Sequence, residues 1–222
     1  MSVPRTYCSD QGDGTYLNPL MHGEFPDPAI LKDGADYYMV NCSQPLLWHS
    51  LDLIHWEPLY EINYGIIGGA ADLCKVQDTY YLYNVHPFGR DKSDYKPSNM
   101  WVLTTTDIRS GKWDGPFCVG PAFNTEDRRE LIDPGHVTDF DGKRYLYTSD
   151  NYCFPLTDDG LRFSGPGKRV LDDEKFPDDW DIQGVFTEGP RFTVKDGWIY
   201  LSLSVGGTQG PAQAHGILVY RS

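Results

Sequence analysis

The sequence predicts an all-β fold made of repeated units, and three observations lead to that prediction. First, four segments begin alike, each with an acid that precedes a short apolar stretch, a turn and an aromatic-rich strand; the acids are Asp27, Asp72, Asp133 and Glu188. Second, these acids lie 45, 61 and 55 residues apart, a spacing typical of propeller blades. Third, aromatic residues make up 14% of the 222 residues, with 23 glycines and 16 prolines, which favours many short strands joined by turns.

Each unit predicts its own strands in order. The first predicts strands and a turn at Ala29 to Leu31, Asp33-Gly34, Asp36 to Asn41, Leu46 to His49 and Trp56 to Leu59. The second predicts strands at Asp72 through Tyr80 to Asn84, Met100 to Thr105 and Trp113 to Phe117. The third predicts an inner strand near Asp133, the Asp141-Gly142 turn, a strand at Lys143 to Thr148 and a region around Phe163. In the fourth unit we expect an inner strand near Glu188, a turn at Asp196-Gly197, and strands at Trp198 to Ser204 and Ile217 to Tyr220. Asp-Gly between alternating strands is a strong hairpin signal.

In a propeller, the innermost strand of every blade lines one central channel. We therefore expect the four acids to converge at the channel mouth, within a single catalytic domain covering residues 1–222. Asp-Pro and Glu-Gly-Pro also occur as simple turn formers at strand ends, which is the non-functional alternative. The fourth unit should need a further outer strand, so we expect a missing C-terminal segment or a second copy of the chain to complete the ring.

Charge and hydropathy limit the classes of binding partner that the chain is expected to have. The net charge is −13, from 32 acidic and 19 basic residues, and the basic residues form no cluster. Nucleic acid and anionic membranes are therefore disfavoured, because both need a basic surface, whereas a neutral sugar tolerates an acidic site. No apolar stretch is long enough to span a membrane. The N-terminus lacks the apolar core of a signal peptide, which predicts a cytoplasmic protein, or a secreted one if a signal peptide was removed.

Cysteine and histidine spacing indicates no metal site and no required cofactor. The five cysteines form no CxxC pair and are expected to be buried free thiols, with a disulfide or a reactive thiol as the alternative; they are Cys8, Cys42, Cys74, Cys118 and Cys153. The six histidines show no metal-ligand spacing, and no EF-hand-like loop occurs.

Three motifs in the same order resemble glycoside hydrolase family 43. They contain Phe25-Pro26-Asp27-Pro28, Ile132-Asp133-Pro134 and Thr187-Glu188-Gly189-Pro190, each followed by an aromatic strand. The resemblance covers almost the whole chain and implies a five-bladed β-propeller, C-terminally incomplete here. It further implies an inverting exo-glycosidase that releases pentoses from plant cell-wall polysaccharide or oligosaccharides, as a β-xylosidase or α-L-arabinofuranosidase. It also allows a structural calcium ion.

The resemblance implies a role for each of three acids: Asp27 as general base, Asp133 as modulator and Glu188 as general acid. The chemistry agrees, because inverting hydrolysis needs one carboxylate to activate water and one carboxylic acid to protonate the leaving oxygen. A third carboxylate near the acid raises the pKa of that acid by like-charge repulsion.

Further candidates concern substrate binding. Phe25, Trp48 and Trp101 have aromatic faces that suit the C–H face of a sugar, although each is also a candidate core residue. Asp72 either binds a substrate hydroxyl or satisfies backbone amides. Its setting, Gly69-Ala70-Ala71, lacks the Trp that many family members carry there. His215 is expected near the channel, in a substrate-linked or a structural role. The alternative function is a non-catalytic carbohydrate-binding propeller or an inactive fragment.

Overall fold

Fifteen short strands form four antiparallel sheets in the residues that the computed structural model describes, which are 8–62, 70–86, 99–122, 131–171, 187–206 and 215–222. Sheet I consists of β1 (Ala29–Asp33), β2 (Asp36–Val40), β3 (Leu46–Ser50) and β4 (Glu57–Glu61). Sheet II consists of β5 (Asp72–Val76), β6 (Thr79–His86), β7 (Asn99–Thr105) and β8 (Asp114–Pro121).

The other two sheets follow in chain order. Sheet III consists of β9 (Gly135–Thr138), β10 (Arg144–Tyr147), β11 (Tyr152–Pro155) and β12 (Lys168–Arg169), with a 3₁₀ turn at Ser149–Asn151. Sheet IV consists of β13 (Thr187–Lys195), β14 (Trp198–Gly206) and β15 (His215–Arg221). Each strand pairs with its neighbours in sequence, so every sheet is an up-and-down blade.

The hydrophobic core lies between consecutive sheets. Strand β6 shows why: its alternate side chains point to opposite faces of sheet II. Tyr80 and Leu82 pack with residues of sheet I, whereas Tyr81 and Tyr83 pack with residues of sheet III. A third cluster joins sheets III and IV through Tyr147 and side chains of β14. Burial of a side chain such as Leu82, which is fully buried, contributes about 1.5–3 kcal/mol.

The first strands of the sheets lie side by side. Strand β1 contacts β5, β5 contacts β9, and β9 contacts β13. These four inner strands begin within two residues of the four acids of the repeat. The chain is therefore all-β with four propeller-like blades, as the sequence predicts, and the inner strands bring the acid-bearing segments to one side of the molecule.

Two hairpin turns follow the Asp-Gly prediction in different ways. In sheet IV, Asp196 and Gly197 form the two-residue loop with φ of 52° and 78°, as a type I′ turn requires. In sheet I, Asp33 belongs to β1, and the loop begins at Gly34 with φ of 62°. The turn signal is therefore correct, with a one-residue difference in register.

Two sequence expectations need correction. Phe163 does not lie in an outer strand of sheet III: it forms an isolated bridge to Leu156, and its ring stacks on Phe154 with centroids 4.3 Å apart. The outer strand is β12 instead. All five cysteines are free thiols, but Cys8 and Cys118 are exposed rather than buried.

Candidate active site

The same left-handed backbone conformation occurs close to the start of three inner strands. Asp27, Asp133 and Gly189 each precede a proline and have φ of 50°, 56° and 56°. Left-handed backbone costs most residues about 1–2 kcal/mol, but aspartate and glycine tolerate it best. Glu188 therefore lies one residue before the position that corresponds to Asp27 and Asp133. The repeat predicts equivalent positions for the acids, and the structure corrects this by one residue at Glu188.

Asp133 occupies the centre of the candidate site. Its Oδ2 atom accepts a hydrogen bond of 3.1 Å from the backbone N–H of Gly189. Burial raises the pKa of Asp133 to about 6, and the negative charges of Glu188 and Asp27 add to this, whereas the Gly189 N–H and the positive charge of Arg191 oppose it. The structure therefore places two of the predicted acids, Asp27 and Glu188, within electrostatic reach of the third, Asp133.

Asp27 is exposed, and Cys42, which lies just after β2, contacts its segment. The thiol of Cys42 donates a hydrogen bond to Oδ2 of Asp27 at 3.1 Å, and the backbone N–H of Cys42 donates to the carbonyl of Pro26 at 3.2 Å. Burial, followed by the hydrogen bond to Asp27, raises the pKa of Cys42 to about 11. Cys42 therefore remains a protonated donor at neutral pH.

Glu188 is the second residue of β13 and is half-buried. Its backbone pairs with Ser204 of β14, and a β-bulge follows between Glu188 and Arg191. Bulges commonly redirect side chains next to active sites. Here the extra residues include Gly189, whose N–H is free to bind Asp133 in the neighbouring sheet.

Asp72 is buried at the start of β5. Its Oδ2 atom accepts the backbone N–H of His136 at 2.8 Å, and its Oδ1 atom lies 3.9 Å from Nη1 of Arg191. Burial raises the pKa of Asp72, which the charge of Arg191 and the His136 N–H oppose. Of the two roles that the sequence allows, satisfaction of a backbone amide is thus present, while contact with a substrate hydroxyl stays a prediction. Gly69 lies outside the described residues.

His136 belongs to a buried layer beneath Asp72. Its ring stacks on Tyr83 at a centroid distance of 5.7 Å, and its Nε2 atom accepts a hydrogen bond of 3.0 Å from Nε of Arg144. Burial, followed by the charge of Arg144, lowers the pKa of His136 to about 3. The imidazole is therefore neutral at physiological pH and acts as an acceptor.

Arg191 is a site residue that the sequence analysis missed. Its guanidinium group donates hydrogen bonds to the carbonyl oxygens of Ala71, Pro134 and Pro190 at 3.0, 3.3 and 2.9 Å. The only signal in the sequence is its position directly after Glu-Gly-Pro. Contacts of this kind cross between sheets, so no local pattern reports them.

The predicted aromatic residues have different surroundings. Phe25, two residues before Asp27, packs edge-on against Trp48 with ring centroids 5.4 Å apart. Trp101 is half-buried and packs against the core between sheets I and II. His215 begins β15, but its side chain lies outside the described part of the structure. Sugar contacts by these four residues stay predictions.

Metal and membrane features complete the description of the site. Within the described ranges, no group of three or more His, Cys, Asp or Glu side chains is arranged to hold an ion. In the same ranges, no helix has the length and apolarity needed to cross a membrane.

Comparison with known proteins now identifies the family. The model of the family described as glycosyl hydrolases family 43 matches residues 16–222. The chain belongs to glycoside hydrolase family 43. A beta-xylosidase of Formosa agariphila is 32% identical over 198 residues, which cover 72% of this chain and 31% of that protein. A non-reducing end alpha-L-arabinofuranosidase of Bacteroides ovatus is 27% identical over 87% of this chain and 36% of its own length.

Solved structures of family 43 agree with this assignment. The GH43 protein BlXynB from Bacillus licheniformis superposes with a TM-score of 0.71 and 27% identity, over 93% of this chain and 41% of that chain. The chain thus spans about a third of the length of the two curated relatives and about two fifths of this structure.

Proposed function

We propose that this family 43 chain carries the catalytic acids of an inverting exo-glycosidase that hydrolyses pentose glycosides. The substrates would be β-xylosides or α-L-arabinofuranosides in plant cell-wall oligosaccharides. One observation carries the proposal: the pKa of Asp133 is raised by burial and also by the charges of Glu188 and Asp27. Together with the 3.1 Å hydrogen bond from the Gly189 N–H to Asp133, this supports a shared site for the three carboxyl groups, the arrangement that two-carboxylate hydrolysis with a modulator requires.

Each acid suits a distinct role. Asp27 is exposed and accepts the Cys42 thiol, so its carboxyl group is open to solvent and would remove a proton from the attacking water. Glu188 is half-buried and would donate a proton to the leaving oxygen. Asp133, whose own pKa is raised by burial and by the charges of Glu188 and Asp27, would act as the modulator beside the two acids. In an inverting enzyme the base and the acid lie about 6.5–9.5 Å apart, which leaves room for the water.

The leaving group should reveal whether Glu188 is the general acid. We expect Glu188→Gln to lower kcat on xylobiose or an arabinofuranosyl oligosaccharide by at least about 10²-fold, and on a dinitrophenyl glycoside far less, because only the poor leaving group needs protonation. Steady-state kinetics on both substrates measures this. Asp27→Asn is the matched control and should abolish both activities. Equal losses on both substrates for Glu188→Gln would remove Glu188 from the role of acid.

The stereochemical outcome tests the reaction itself. Proton NMR during hydrolysis of nitrophenyl xyloside and nitrophenyl arabinofuranoside should show that the first sugar formed has the opposite anomeric configuration to the substrate. Release of the same anomer would mean a retaining mechanism, for which the carboxyl groups lie about 5–5.5 Å apart. A galactofuranoside included in the screen checks the preference for pentoses.

A non-catalytic carbohydrate-binding function is the second candidate. It is favoured by the segment before Asp72, where the buried Ala70 and Ala71 stand instead of an aromatic platform. Calorimetric titration with xylobiose would support this candidate if sugar bound to the wild-type chain without turnover on any substrate of the screen.

We also propose that the four blades belong to a five-bladed ring, completed by a further segment or by a second copy of the chain. In the described residues, sheet IV has three strands where the other sheets have four, and the outward Ile217 and Val219 of β15 are exposed. Light scattering after size exclusion tests this. A stable, active monomer of 25.2 kDa would contradict the five-bladed ring.

A further inference from the structure

One arginine side chain joins three of the four inner segments. Arg191 lies in β13, and its two terminal nitrogens donate hydrogen bonds to a carbonyl of β13 itself and to the carbonyls of the residues directly before β5 and β9. Nη2 donates to Ala71 at 3.0 Å, while Nη1 donates to Pro190 at 2.9 Å and to Pro134 at 3.3 Å. A guanidinium group can make such contacts because its donors diverge in a rigid plane, whereas a lysine offers a single point of attachment.

The three carbonyls are next to the acids. Ala71 directly precedes Asp72, Pro134 directly follows Asp133, and Pro190 lies two residues after Glu188. The hydrogen-bond ladders run within each sheet, so they do not fix one sheet relative to the next. Contacts between sheets must therefore set the separations of acids that belong to different sheets.

Arg191 also supplies positive charge to this region. Its Nη1 atom lies 3.9 Å from Oδ1 of the buried Asp72. Its charge lowers the pKa of Asp133, against the charges of Glu188 and Asp27, which raise it. Arginine stays protonated at all working pH values, so this compensation is permanent.

We propose that Arg191 is a positioning residue that fixes the spacing and the charge balance of the acids in sheets II, III and IV. The inference rests on the proposed hydrolytic function, because it assigns to Arg191 the support of those same acids. Arg191 touches carbonyls rather than reacting atoms, so its effect on the reaction passes through Asp133 and Glu188. Small displacements of catalytic groups can cost as much as about 10²-fold in rate.

Two variants separate the charge from the geometry. Arg191→Met removes both, and we expect kcat to fall at least about tenfold with a smaller change in KM, and Asp133 to titrate at a higher pH than in the wild type. Arg191→Lys keeps the charge and loses the fork, so kcat should fall while the titration of Asp133 stays closer to that of the wild type. Carboxyl carbon NMR, with the Asp133 signal assigned from Asp133→Asn, provides the titration.

The charged and polar groups around Asp133 that affect its titration are known from the structure. The groups that face Asp133 are Glu188, Arg191 and the Gly189 N–H from sheet IV, with Asp27 and the Cys42 thiol from sheet I. None of these except Arg191 is altered in the two variants. A change in the Asp133 titration is therefore attributable to the guanidinium group.

Arg109→Met is the matched control. Arg109 also joins two sheets, donating to Asp36 at 2.7 Å and to Tyr38 at 3.1 Å, but its bonding partners are not the site acids. This variant should lose stability. Its kcat should stay within twofold of the wild-type value, and the pH at which Asp133 titrates should be the same within error. The proposal is overturned if Arg191→Met leaves both readouts unchanged, or if Arg109→Met changes them equally.

The design also separates this inference from the proposed function. If the wild-type chain hydrolyses no substrate, the proposed function fails, but the Asp133 titration still tests the effect of Arg191. If Arg191→Met does not fold, Arg191→Lys decides: unchanged kcat and an unchanged titration in that variant would overturn the positioning role.

Discussion

The carboxyl group of Asp133 opposes the stability of the fold at neutral pH. Burial, with the charges of Glu188 and Asp27, raises its pKa to about 6 from an ordinary value near 3.8. The folded state therefore holds this proton more tightly than the unfolded state does. The stabilisation that this proton contributes is fully present below about pH 4. It is lost as the pH rises through about 6, by at most about 3 kcal/mol. Such a cost is expected of a group retained for chemistry.

Asp133→Asn should remove that cost. Asparagine keeps the acceptor for Gly189 and tolerates the left-handed backbone, so we expect a higher Tm than the wild type at pH 8 and little difference at pH 4, together with loss of activity. Asp196→Asn is the control, because Asp196 is exposed and has a similar φ of 52°. Differential scanning fluorimetry at both pH values measures the effect. A pH-independent change in Tm for Asp133→Asn would contradict the argument.

Residues of the candidate site differ in how well the sequence predicts them. Asp27, Asp133 and Glu188 can be picked out as candidates in the sequence because each lies within a recurring motif near the start of an inner strand. Cys42 and Arg191 are not, since their contacts join segments 15 or more residues apart. Only the assembled sheets show that the thiol faces Asp27 and that the guanidinium group faces three carbonyls.

At the scale of elements, regular hairpins are predictable and irregular turns are not. Strands of sheets I, II and IV agree with their alternating patterns to within a few residues. Strand β11 was missed because the chain leaves β10 through a 3₁₀ turn, where Asp150 and Asn151 have φ of 57° and 61°. Phe163, farther along the same unit, packs against Phe154 and lies outside the outer strand β12.

Sheets III and IV approach each other closely beside the candidate acids. A Cβ atom added to Gly135, the first residue of β9, would lie 2.5 Å from the carbonyl oxygen of Pro190. We expect Gly135→Ala to push β9 away from β13, which should cost about 1–3 kcal/mol of stability. It should also lower kcat, because Asp133 and Glu188 lie on the two displaced segments.

Gly142→Ala separates packing from conformation in that experiment. Gly142 has φ of 80° and no atom within 4 Å of an added Cβ, so alanine there should cost about 1 kcal/mol through backbone strain alone. Chemical denaturation and kinetics on both variants make the comparison. Unchanged kcat in Gly135→Ala would show that the contact between these sheets does not set the geometry of the acids.

At the scale of the whole molecule, alternation explains why four blades form. Successive residues of β6 enter two different cores, so sheet II is covered on both faces, by sheet I and by sheet III. The sequence shows this as runs such as Tyr80-Tyr81-Leu82-Tyr83, in which every position is apolar. The number of blades in the complete ring depends on contacts beyond these runs, which is why it rests on the family resemblance.

Net charge should limit the stability of the entire fold. Acidic residues exceed basic ones by 13, so at pH 7 the compact state carries strong self-repulsion, whereas ion pairs such as Lys75 with Asp33 are partly exposed and contribute about 1 kcal/mol or less. We therefore expect 0.2 M NaCl to raise the Tm at pH 7, and to have little effect near pH 4.7, where the net charge vanishes. Scanning calorimetry in chloride, rather than sulfate, isolates screening from salting-out. A fall in Tm with salt at pH 7 would mean that the ion pairs between sheets outweigh the repulsion.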